Sequence, residues 1–135
     1  MKIKTSELEG VMLDYAVAQC ELMLGQDYTL AIDTDFDGTK RVNFGGTYPE
    51  WSTDWQEAGP IIEREKIGVW WATHYVDDDG VEYGNHWYSE PACTDDNADK
   101  PYRVAVGPTL LIAAMRCYVV NNLGDELEVS DEMVS

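Results

Sequence analysis

The sequence predicts an α+β domain: two helices packed on a small, mainly antiparallel sheet, with a long aromatic loop. Three patterns carry that expectation. Apolar residues recur at helical spacing from Leu8 to Leu22 or Met23, and again in the run from Thr109 to Leu123. Between the two, Val69–Val76 and Val81–Tyr88 flank Asp77-Asp78-Asp79-Gly80, the pattern of a β-hairpin.

Along the chain, Ser6-Glu7-Leu8-Glu9 fits the S-x-x-E capping box, so the first helix starts there. Leu8, Met12, Tyr15, Ala16 and Gln19 share its face, and Gly25 stops it after Leu24. Tyr28–Ile32 reads as a strand, Asp33–Arg41 as a polar turn, and Val42–Phe44 as a second short strand. Gly45–Gly59 is loop-like, with Tyr48-Pro49, Trp51 and Trp55 inside it, and Pro60–Glu65 makes a short helix. In the hairpin, a two-residue Asp78-Asp79 turn pairs Trp70 with Trp87, Ala72 with Asn85 and His74 with Tyr83. A bulge at Gly80 shifts every pair by one. Residues 89–101 form a solvated loop and Tyr102–Val106 a last strand. Pro108 then sits where a missing N–H costs nothing, Thr109 caps the helix amides and Gly124 ends the helix. Glu126–Val129 is extended. Residues 1–129 make one domain, and 130–135 a frayed acidic tail.

Nine basic residues stand against 26 acidic ones, a net charge of −17, yet 44% of the chain is hydrophobic, enough for a core. Residues 1–66 and 67–135 each hold 13 acids, so the folded surface itself is acidic. Backbone binding to nucleic acid needs cations and is excluded as a function class, as is adhesion to an anionic membrane. An acidic field suits a basic protein partner, or imitation of a nucleic-acid surface. Cys20, Cys93 and Cys117 lack CxxC pairing and ligand-spaced histidines; Cys20 and Cys117 read as small core residues, and no metal or other cofactor is called for. The start lacks an apolar leader segment and no run approaches membrane-spanning length, so the expected location is a reducing cytoplasm.

Several of these segments resemble one family. Gly107-Pro108-Thr109-Leu110-Leu111-Ile112-Ala113-Ala114-Met115-Arg116-Cys117-Tyr118, closed by Leu123-Gly124-Asp125-Glu126, is joined by Gly59-Pro60-Ile61-Ile62-Glu63-Arg64-Glu65 and Thr53-Asp54-Trp55. With Lys4-Thr5-Ser6-Glu7-Leu8 and Asp14-Tyr15-Ala16-Val17-Ala18, the set resembles the NinX-like family of small tailed-phage proteins. The resemblance rests on both ends and the middle; residues 24–45 and 68–104 carry little of it. It implies a phage origin, hence the cytoplasm of an infected bacterium, and no particular activity.

Asp33-Thr34-Asp35-Phe36-Asp37-Gly38 opens like a calcium loop, but the twelfth position is Phe44 and Lys40 and Arg41 lie inside it; it reads as an acidic turn. Two histidines with no nucleophile spacing give little basis for an enzyme. Five tryptophans and eight tyrosines against two phenylalanines favour half-wet surfaces and binding pockets. Trp70 or Trp71, together with Trp87, reads first as a sheet face under the helices, a face that would serve equally as a homodimer seam. Trp51 and Trp55 lie in a loop beside Tyr48, Ser52 and Thr53, suited to stacking a planar ring and bonding its edge. Arg64 reads as paired with Glu63 or Glu65, and Arg116 with an acid of the first helix such as Asp14; either would otherwise face an anion, as would Thr109 at its helix start. Tyr48, Ser52, Thr53, Trp55, Arg64, Thr109 and Arg116 are thus the candidate ligand-binding residues. Together they suit a non-catalytic module capturing a nucleotide-like anion such as a bacterial immune signal. The alternative is an acidic interaction protein, or DNA mimic, that engages a basic host factor.

Overall fold

The computed structural model describes residues 1–25, 27–76, 78–91 and 103–129. In chain order the elements are β1 (Lys2–Lys4), a 3-10 turn (Thr5–Glu7), α1 (Gly10–Leu22), β2 (Leu30–Thr34), β3 (Lys40–Phe44), α2 (Trp55–Glu65), β4 (Gly68–Val76), β5 (Glu82–Glu90), β6 (Ala105–Gly107), α3 (Leu110–Leu123) and β7 (Glu126–Glu128). The architecture is α+β. It differs from the expected one in having three helices and, in place of one sheet, three small antiparallel sheets: β1-β7, β2-β3 and β4-β5-β6.

α3 is the centre. Leu111 and every residue from Ala113 to Val119 are buried, so it is covered nearly all round. It packs on α1, α2, β4, β5 and β6. Leu13, Val17 and Cys20 of α1 meet it in a core that also holds Leu8, Met115 and Cys117. Burial pushes the Cys20 thiol up to about 12 and the Cys117 thiol up to about 11, so both are inert core residues, as expected. Cys93 lies outside the described residues.

The expected start of α3 is present: the Thr109 hydroxyl accepts from the Ile112 amide at 3.1 Å. Gly124, at φ 95°, closes the other end. α1 departs from expectation. Thr5–Glu7 forms a 3-10 turn, and the helix starts at Gly10 behind Glu9, whose side chain makes no cap bond. The Ser6 capping box is therefore not formed. Thr5 is drawn instead to the far end of the chain, its hydroxyl donating to the Gly124 carbonyl at 2.6 Å and its amide to Asp125 at 2.7 Å. That bond sits beside the β1-β7 pair, where Ile3 stands opposite Leu127. β7 was expected as extended chain; β1 was not expected.

α2 is longer than its sequence suggested. It begins at Trp55, five residues before Pro60, because Asp54 accepts from the Gln56 amide at 2.9 Å and caps it. The hairpin follows the Gly80-shifted register: Trp71 opposes Trp87, Ala72 opposes His86 and His74 opposes Gly84. The Asp78-Asp79 two-residue turn is overturned; Gly80 takes φ 82° in a longer connection. Ser89 and Glu90, expected in a loop, extend β5. Residues 92–101 of that expected loop, Tyr102 and the tail at 130–135 lie outside the described residues.

Candidate functional site

Among the described residues, two pockets and one aromatic surface bring together polar and aromatic groups that a ligand would meet. The first pocket lies where the β2-β3 hairpin and the chain after it cross the start of α1. Tyr48, Ser52 and Thr53 line it together with Lys40, Arg41 and Asp14, around about 200 Å³. The floor is built by Asp14, buried on α1, whose carboxylate accepts from the Ser52 amide at 2.8 Å. Burial pushes the Asp14 carboxyl up to about 6, against the opposing pull of its Ser52 bonds. At the rim, the Tyr48 hydroxyl donates to Asp33 at 2.8 Å, and that bond raises its pKa. Arg41 on β3 is 3.3 Å from Asp35, in the acidic turn that joins β2 to β3 and is shorter than the expected Asp33–Arg41. Ligand pockets usually enclose at least about 300 Å³, so this one admits a single phosphate- or carboxylate-sized group rather than a whole nucleotide.

The second pocket, about 360 Å³, is lined by Arg64, Lys66, Tyr118, Asn121 and Asn122, among others. Arg64 reaches from the last turn of α2 to Glu21 of α1 at 2.7 Å, to Glu65 at 3.0 Å and to the Tyr118 hydroxyl at 3.1 Å. Tyr118 in turn donates to Glu21 at 3.0 Å. Hydrogen bonding to Glu21 pushes the Arg64 pKa further up, while burial and the neighbouring Glu21 carboxylate push up that of Tyr118. Two carboxylates already match the one guanidinium, so the cluster ties three helices together and offers an anion no net positive charge.

The other candidates stand apart. Trp55 is 56% exposed on the first turn of α2 and lines neither pocket. Trp51 is not a loop platform: it is buried, edge-on to Phe44 at 5.8 Å. The Thr109 hydroxyl is occupied by its own helix. Arg116 is buried and donates to the carbonyls of Leu8 at 2.7 Å and Val106 at 3.0 Å, while Asp14 serves Ser52. Of the seven residues, then, only Tyr48, Ser52 and Thr53 come together.

The third surface is the β4-β5 hairpin. Val69 packs against the core, Ser89 is fully buried, and a Cβ on Gly107 would lie 2.7 Å from the Ala113 amide. These residues put one face of the sheet against α3. By the two-residue strand period, Trp71 and Trp87 lie on that face and Trp70 and Tyr88 on the other. Each pair is in contact across the strands, Trp71 edge-on to Trp87 at 5.4 Å and Trp70 tilted against Tyr88 at 4.4 Å between ring centres. Trp70, on the face turned away from α3, is 42% exposed, and Trp71, on the α3 side, is still 49% exposed. The helices therefore cover only part of the aromatic face expected beneath them. The adjacent pair Trp70-Trp71 was the available signal: neighbours in a strand cannot both face one core. Among the described residues no group of three His, Cys, Asp or Glu side chains is arranged to hold a metal ion.

Fold and surface together define a small acidic α+β protein with pockets beside α1 and α2 and a partly uncovered aromatic hairpin among the described residues. It belongs to the family described as Bacteriophage P22, NinX, whose model matches residues 4–122, including the stretches where the resemblance was weakest. It is accordingly a small phage accessory protein. No curated protein matches the chain. No helix among the described residues is long and apolar enough to cross a membrane.

Proposed function

We propose that this phage protein is a non-catalytic interaction module that engages a basic protein of the host or the phage in the cytoplasm of the infected bacterium. The observation that carries this reading is the hairpin. Residues 68–90 contain five acids, three tryptophans and no lysine or arginine, in a chain of net charge −17. Aromatic residues at half-wet positions supply contact area, and the acidic field speeds encounter with a cation-rich surface. The test is capture from host lysate on immobilised protein, followed by a salt ramp. The expected partner has a high isoelectric point and elutes as the Debye length falls from about 10 Å towards 3 Å, between about 0.1 and 1 M salt. Retention of only neutral or acidic proteins, indifferent to salt, refutes the reading.

The convergence of Tyr48, Ser52 and Thr53 with Lys40 and Arg41 favours a second reading, capture of a nucleotide-like anion such as a bacterial immune signal. The pocket would take one phosphate, with the attached ring lying outside over Tyr48. A thermal-shift panel of mononucleotides, cyclic oligonucleotides and ADP-ribose derivatives tests it. A ligand at about 100 times its Kd adds about 2.7 kcal/mol, a shift that Arg41→Ala would abolish. A flat panel retires it.

A further inference from the structure

We infer that the outer edge of β4 is a docking site for an extended cationic segment of a partner protein, added as a further antiparallel or parallel strand. The inference rests on the basic-partner reading above and says where and how that partner binds. In the sheet order β4-β5-β6, β5 is central, and among the described residues no strand pairs with the other side of β4. That edge is nine residues long, Gly68–Val76. Natural edge strands of such length are usually blunted by lysine, proline or a bulge. Gly-Val-Trp-Trp-Ala-Thr-His-Tyr-Val has no lysine and no proline, and the left-handed residues nearby, Asn85 and Gly80, belong to β5 and the turn.

Charge selects the occupant. Asp78, Glu82 and Glu90 border the hairpin, and residues 68–90 contain no lysine or arginine. A second copy of this chain would bring the same acids against themselves. An incoming strand with arginine or lysine at alternate positions meets the opposite sign. It also places cations over the exposed faces of Trp70 and Trp71, one on each side of the sheet. Main-chain hydrogen bonds then provide affinity while the aromatic and acidic groups choose the sequence.

The experiment titrates the full chain with a synthetic peptide of alternating arginine and valine, about the length of β4. Amide NMR shifts and hydrogen exchange are the readouts. Trp71→Lys, a charge added at an exposed edge position, and Trp70→Ala are the variants, with their amide spectra confirming the fold. The expected result is slowed exchange and shifts concentrated on residues 68–76. Affinity should fall roughly tenfold or more in each variant, since each loses a cation–π contact and Trp71→Lys adds a repulsion. Shifts spread over the acidic surface, with both variants binding like the parent, overturn the edge site. If the variants also still capture a basic protein from lysate, the partner reading survives that failure. Slowed exchange at β4 without peptide, in a protein that sediments as a dimer, overturns the choice of occupant.

Discussion

Arg64 brings a positive charge to a cluster whose acceptor, Glu21, is only 5% exposed. Removing it strands a buried carboxylate beside Tyr118, the costly half of a broken ion pair. The Arg64 side chain is itself 40% exposed, so solvent softens the loss. Arg64→Ala is expected to destabilise by about 2 kcal/mol. By thermal denaturation that is a fall in Tm of roughly 5–10 °C. An unchanged Tm together with a lost ligand shift would reinstate Arg64 as a ligand contact. Asp14 behaves oppositely. Its carboxyl lies at about 6 in the folded chain against 3.8 in the unfolded one. Between those values the native state holds a proton that the unfolded state has released, so stability is present below the lower value and is lost as pH rises through the upper one. Asp14→Asn keeps an acceptor for the Ser52 amide without the charge. The difference in stability between wild type and this variant should fall by about 2 kcal/mol from pH 4 to pH 7, measured by urea denaturation. A flat difference would mean that Asp14 is ionised without penalty.

β6 and α3 meet through the absence of a side chain. At Gly107 a Cβ would stand 2.7 Å from the Ala113 amide and 3.1 Å from its Cα, both backbone atoms of a buried helix that cannot rotate away. Gly107→Ala therefore forces β6 and α3 apart, at a cost of about 1–3 kcal/mol, measurable as a lower urea midpoint with unchanged m. A neutral result would show that this junction is loose. Nothing local to Gly107 announced this role, which depends on a helix turn arriving from six residues downstream. The same distinction separates what was legible elsewhere. α3 was readable because Pro108, Thr109 and Gly124 are local signals that act where they stand. α2 was misread although Asp54-Trp55-Gln56-Glu57 is itself a capping-box pattern, because Gly59-Pro60 outweighed it. Pro60 removes one helical hydrogen bond at an exposed position, and the burial of Ala58 and Ile61 outweighs that loss. β1 and the Thr5–Gly124 bond join residues at least 119 apart, and no window of sequence contains both partners. The candidate site divides along the same line. Tyr48, Ser52 and Thr53 are near neighbours in the chain and stayed together, whereas Arg64 and Arg116 were claimed by distant partners and Thr109 by its own helix.

Taken over its full surface, the protein is a field of 26 acids against nine bases. Ion pairs such as Arg41–Asp35 and Arg103–Asp125 are exposed, so their individual contributions are small. Self-repulsion among the surplus acids acts over longer distances and opposes compaction. Salt shortens its reach from about 30 Å at 0.01 M to about 3 Å at 1 M, which weakens the repulsion more than the close contacts in the core. Thermal stability should therefore rise by several degrees between about 0.01 and 0.5 M sodium chloride. Binding to a cationic strand is an attraction of the same range and must weaken over the same interval. The two effects have opposite signs, and this separates loss of the partner from loss of the fold. A complex that dissociates while Tm climbs has lost an electrostatic contact, whereas a Tm that falls on adding salt would mean that ion pairs, and not repulsion, dominate the acidic surface.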